Sequence, residues 1–103
     1  MAIKSTQLGS VAGAISDLLA TESAIINMIF CNLNSVPEYI TVHAVGSGGS
    51  VSSANTILSQ VRIDANNTFS LSTDKIVLAP GDRIYAYSTN AAMVSATICV
   101  VVI

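Results

Sequence analysis

Charged side chains are scarce in this chain of 103 residues: four Lys or Arg and six Asp or Glu, 10% in all. A typical soluble domain carries about 25%. The four bases are scattered and form no cluster, which removes the phosphate neutralisation of a nucleic-acid binder and the polybasic patch of a membrane-surface protein. Tryptophan is absent and His43 is the sole histidine. A histidine-dependent triad would need His43 beside a nucleophile and an acid, and no serine sits in a nucleophile elbow. With two cysteines far apart and no second histidine, the ligand clustering of a zinc site is missing too. Long apolar runs are also lacking. Ala24 to Phe30 contains Asn27, and Ala91 to Ile103 falls short of the roughly 20 residues a spanning helix needs. Met1 to Gly13 has one lysine and no continuous apolar core, so it does not read as a signal peptide.

Apolar residues are abundant, at 51%. So many apolar groups with so little charge predict surface covered by neighbouring chains, as in an assembly component. At this length the chain forms one domain able to bury about two-thirds of its unfolded surface.

Strand signals dominate. Met1 to Val11 is small, polar and aperiodic, so residues 1–12 are expected as a flexible arm before a domain at 13–103. Ala14 to Leu19 suits either a first strand or a helical turn. Ala24 to Leu33 is apolar on both faces, with Ile26, Met28 and Phe30 on one side and Ile25, Ile29, Cys31 and Leu33 on the other. That suits a central strand. After the Asn32 to Ser35 turn, Tyr39 to Val45 alternates, setting Ile40, Val42 and Ala44 against Tyr39, Thr41, His43 and Val45. Gly46 to Ser53 is a loop. Ile57 to Ile63 places Ile57, Val61 and Ile63 inward, and Thr68 to Ser72 does the same with Phe69 and Leu71. Lys75 to Leu78, Arg83 to Thr89 and Val94 to Ile103 complete the set. The economical solution is an all-β fold, an antiparallel β-sandwich (jelly-roll-like) of seven to eight short strands. Cys31 and Cys99 fall on separate strands; one bridge, or two buried thiols in a reducing cytoplasm, would each fit.

The chemistry-bearing residues mostly have structural explanations. Asp17, Glu22, Glu38, Asp64, Asp74 and Asp82 lie near strand ends or turns, where capping and solvation account for them. Asp64-Ala65-Asn66-Asn67 lacks the oxygen ligands of a calcium loop. Gly46-Ser47-Gly48-Gly49-Ser50 lacks the lysine and helix of a phosphate-binding loop. No catalytic residue, metal or cofactor is assigned. Tyr85 and Tyr87 share one strand face and could stack on a sugar with the loop Ser47 to Ser53, the basis of a carbohydrate-binding adhesin reading.

The most telling segment is Lys75 to Tyr87. Pro80 and Gly81 predict a type II turn, and Asp82 is placed to cap free N–H groups as a strand resumes. Together with the Cys31-Asn32 strand end and Ile40-Thr41-Val42 before a Gly/Ser-rich loop, the element Leu78, Pro80, Gly81, Asp82, Ile84 resembles a family of small phage virion proteins. The resemblance covers approximately Ala14 to Ile103, with Ala20-Thr21-Glu22 replacing the family's Pro-Ala-Gly-type turn. It implies a β-sandwich module studding a capsid, neck or tail, often as a trimer, without catalytic residues. The expected function is therefore a non-enzymatic virion structural protein, a capsid decoration or cement protein made in the host cytoplasm. A neck, collar or tail-fibre module is the nearest alternative. Expected partners are the major capsid protein or neck and tail proteins, and further copies of the chain, without nucleic acid or membrane. Ile98, Val100, Val102 and Ile103 are the expected subunit contacts.

Overall fold

A computed structural model describes residues 2–15, 22–71 and 76–102. Among them are nine strands: β1 (Ala2–Gln7), β2 (Gly13–Ala14), β3 (Ser23–Asn32), β4 (Glu38–Val45), β5 (Thr56–Ile63), β6 (Thr68–Leu71), β7 (Ile76–Leu78), β8 (Arg83–Ser88) and β9 (Val94–Val102). The one helical element among the described residues is a 3-10 turn at Ser53–Asn55. The strands form two sheets in which every pairing is antiparallel. In the first sheet the order is β1-β9-β3-β6, with β7 beside β6 along the same flank of β3; in the second it is β2-β8-β4-β5. Inward residues of both sheets meet in one core, where Phe30, Met28 and Ile98 of the first face Ile40, Val42 and Ile84 of the second.

The composition of the amino terminus predicts an arm, but residues 2–7 are strand β1, paired with β9 from Ala2↔Val100 to Gln7↔Ser95. Leu8 then enters the core and its N–H donates to the Val94 carbonyl at 2.9 Å. The pairing comes from backbone bonds to β9, which composition cannot reveal. Of the segment Ala14 to Leu19, only Ala14 lies in a strand, as the last residue of β2; residues 16–19 lie outside those described.

Strands β3 and β9 are both central, as their two apolar faces require. One detail of β3 differs from strict alternation. The register with β9 shifts between Ile25 and Asn27, so Ile26 occupies a bulge. An extra residue on one strand reverses the facing of everything before it. Ile25 therefore joins Met28 and Phe30 in the core, and Ile26 does not. A second irregularity reverses β5. Gln60 has φ +52° and the register against β4 shifts near Val42. Leu58, Val61 and Ile63 turn inward, while Ile57, expected in the core, is exposed.

The Cys31-Asn32 strand end carries a knot of hydrogen bonds. Buried Asn32 directs Nδ2 at the carbonyls of Val36, Ile63 and Asp64 at 3.0, 3.0 and 3.2 Å, and its Oδ1 accepts the Asn34 N–H at 2.9 Å. One side chain thus ties the turn after β3 to the end of β5. The two cysteines are free and half-buried. Cys31 lies opposite Ser95 and Cys99 opposite Asn27, so the register keeps them apart.

Candidate functional site

The Pro-Gly corner has the expected form. Asp82 N–H donates to the Ala79 carbonyl at 3.0 Å, and Gly81, third in the turn, has φ +90°. The Asp82 carboxylate accepts two backbone N–H groups, from Ala79 at 2.9 Å and from Ser47 at 2.9 Å. The first bond closes its own turn and the second reaches the Gly/Ser loop after β4. Gly81 also permits that approach, since a Cβ there would stand 2.5 Å from Ser47 Oγ. Leu78 and Ile84, on either side of the corner, are buried in the core, and Pro80 is exposed. The Leu78 to Ile84 motif is thus an anchored turn that presents the adjoining loop.

Between that loop and the corner lies a cavity of about 270 Å³. Its wall includes Val45, the glycines of the loop, Gly81, Arg83 and Tyr85. Arg83 and Tyr85 are successive outward residues of β8, whose alternate residues Ile84 and Ala86 are core. Opposite them across the ladder stand Val45 and His43. Arg83 has no ion-pair partner among the described residues, whereas Arg62 pairs with Asp64 at 2.9 Å. That contact holds the Arg62 guanidinium above its ordinary pKa.

Tyr87, expected to share a platform with Tyr85, is otherwise engaged. Its ring stacks on His43 with centroids 6.2 Å apart and an interplanar angle of 21°. His43 is itself buried, with Nδ1 3.1 Å from both Asn55 Oδ1 and Thr56 Oγ1. Asn55 Nδ2 donates to the Ser50 carbonyl and the Thr56 hydroxyl donates to the Ser52 carbonyl. Both contacts on His43 are therefore acceptors, and Nδ1 carries the proton. The lone histidine fastens the loop to the outer side of the second sheet. Among the described residues no three His, Cys, Asp or Glu side chains gather into a metal-binding group.

The first sheet has a different outer face. Its rows follow the register: Val101, Ala24 and Val77; then Ile3, Cys99 and Asn27; then Ser5, Thr97, Ile29 and Ser70. A last row holds Gln7, Ser95, Cys31 and Thr68. None of these positions carries a charge, and Ile3 and Val77 are exposed. The subunit contacts expected on β9 need correction. Ile98 and Val100 are only 1% and 8% exposed, because they occupy the strand's inward phase and belong to this chain's own core. Val102 is exposed at the strand end, and Ile103 lies outside the described residues. Cys99 and Val101 hold the outward phase of the strand.

No family model, curated protein or solved structure matches this chain.

Proposed function

We propose that this chain is a non-enzymatic structural protein of a phage virion, a decoration or cement protein that binds across neighbouring subunits by its first sheet. The observation that carries this reading is the uncharged outer face spanning β1, β9, β3, β6 and β7. A sheet face left in water ordinarily mixes in charged side chains, and an extended face without them favours association. The low overall charge points the same way.

The topology adds support at the level of architecture. β1 pairs with β9, β2 with β8, β3 with β7 and β6, and β4 with β5. A chain that pairs first strand with last and works inward is a long hairpin. Rolling that hairpin until β3 meets β9 and β4 meets β8 gives a jelly-roll sandwich, which is the arrangement we assign. Jelly rolls occur in many viral capsid and lectin domains, so the fold agrees with the reading without carrying it.

In this mechanism the chain acts by cohesion, its uncharged face covering a like surface on the capsid or on another copy, as in a trimer. The resemblance of Leu78 to Ile84 and of Cys31-Asn32 to virion proteins motivates the placement. Imaging the intact particle and counting copies tests it. Hundreds of copies on the shell support decoration. A few dozen at the neck or tail would move the chain to the alternative address, and absence from particles would overturn the reading.

A further inference from the structure

We propose that the cavity between the Gly46–Gly49 loop and the Pro80-Gly81 corner binds a carboxylate-bearing sugar, with Arg83 holding the carboxylate and Tyr85 packing on the ring. This goes beyond the cohesive role of the first sheet, because the cavity opens on the second sheet and involves none of the uncharged face.

Four observations select that ligand class. First, Arg83 lines the cavity half-buried and without an ion-pair partner among the described residues. A guanidinium presents paired N–H groups in the plane that a carboxylate accepts. Second, Tyr85 lies next to Arg83 on the same strand face, about 7 Å further along. Its other neighbour across the ladder, Ala14, is exposed and small, leaving one side of the ring uncrowded. An aromatic face beside a charged fork suits a molecule with an apolar ring face and an anionic substituent. Third, the volume of about 270 Å³ lies just below the usual range for small-molecule sites, which fits one sugar ring and not an extended chain.

The fourth observation separates carboxylate from phosphate. A phosphate cradle needs several unspent backbone N–H groups. Here the Gly49 N–H donates to the Gly46 carbonyl at 2.9 Å and the Ser47 N–H donates to Asp82. Two of the loop's donors are thus already spent within the protein. With the Asp82 carboxylate nearby, a single negative charge is favoured over a double one. The Ser47 hydroxyl has no hydrogen-bond partner among the described residues and is placed for a sugar hydroxyl.

The site differs from a paired tyrosine platform in a way that experiment can read. Tyr87 is stacked on His43 and does not line the cavity, so Arg83 replaces it as the second contact.

The test is a titration of the full chain, followed by NMR, with D-glucuronate, D-glucose, acetate and inorganic phosphate. Glucuronate should bind saturably and shift the Tyr85 ring signals. Glucose and acetate, each offering half of the ligand, should bind about tenfold more weakly or not at all. Arg83→Gln should lower glucuronate affinity by about tenfold, and Arg62→Gln, distant from the cavity, should leave it unchanged. Arg83→Lys keeps the charge and loses the planar fork, so it should also weaken binding, and it tests the same contact if the glutamine variant misfolds. Phosphate, glucose or acetate binding as well as glucuronate would overturn the assignment, as would full affinity in either Arg83 variant. These results are read on the isolated protein, whatever its position in a particle proves to be.

Discussion

Glu38 and Asn90, 52 positions apart in the chain, are joined by two hydrogen bonds at the end of the second sheet. Asn90 donates its backbone N–H to Oε1 at 2.9 Å and its Nδ2 to Oε2 at 2.7 Å, while Asn34 Nδ2 reaches Oε2 at 3.0 Å. The carboxylate is buried. Burial alone would raise its pKa, but the bonds from Asn90 and Asn34 together outweigh it and hold the group below its ordinary value of 4.5. Since the unfolded chain takes up this proton more readily, the contribution to stability is complete above about pH 4.5 and is lost as pH falls through the folded value. Glu38→Gln puts an amide N–H₂ among donors and should destabilise by about 1–3 kcal/mol at pH 7. Urea melts between pH 7 and pH 3 check both points: the variant should show a smaller loss on acidification than the wild type.

The Gly81 and Ser47 pair gives a second outcome. Gly48 and Gly81 both have positive φ, at +78° and +90°, but a Cβ on Gly48 would meet nothing within 4 Å. Gly48→Ala should therefore cost only the backbone term, about 1–2 kcal/mol. Gly81→Ala adds a clash with Ser47 Oγ and should cost distinctly more. Introducing Ser47→Gly into Gly81→Ala should recover the steric part and leave the backbone part. Thermal melts of the three variants read the difference.

Where local chemistry decides the structure, the sequence makes it legible. Pro80, Gly81 and Asp82 specify a turn by φ preference and capping alone, and Phe69 and Leu71 face inward as simple alternation demands. The bulges at Ile26 and Gln60 are not legible, because a bulge is set by the partner strand and leaves no mark in a run of apolar residues. For the same reason Ile25 and Ile57 face opposite to the way strict alternation predicts. β1 escapes for a related reason: its small polar residues gain their order from the backbone of β9. The cavity depends on Ser47 meeting Asp82, 35 positions away. Only Tyr85 and the glycine loop hint at it, and neither points to Arg83.

Cys31 and Cys99 lie four residues apart in register along β9, since Cys31 faces Ser95. At about 3.3 Å per residue that separation is roughly 13 Å, well beyond the ~7 Å limit for bridging two Cα atoms. Oxidation of the folded monomer should produce no internal disulfide. Intact-mass measurement after alkylation should find two modified thiols, and reductant should leave the melting temperature unchanged. A mass lighter by two hydrogen atoms, with no alkylation, would contradict the register.

Ile29 stands between Thr97 and Ser70 in the middle of the uncharged face. It points away from the core, so Ile29→Lys removes little internal packing and should change folding stability by about 0.5 kcal/mol or less. In an assembled state the same ammonium would be buried without a partner, a penalty that the interface cannot offset. Sedimentation should then show the wild type as an oligomer and the variant as a folded monomer. Ile57→Lys, on exposed Ile57 of β5 in the other sheet, supplies the control: an equal added charge that leaves assembly intact. If wild type and Ile29→Lys sediment alike, the first sheet does not join copies of this chain, and only a different protein is left as the surface it covers.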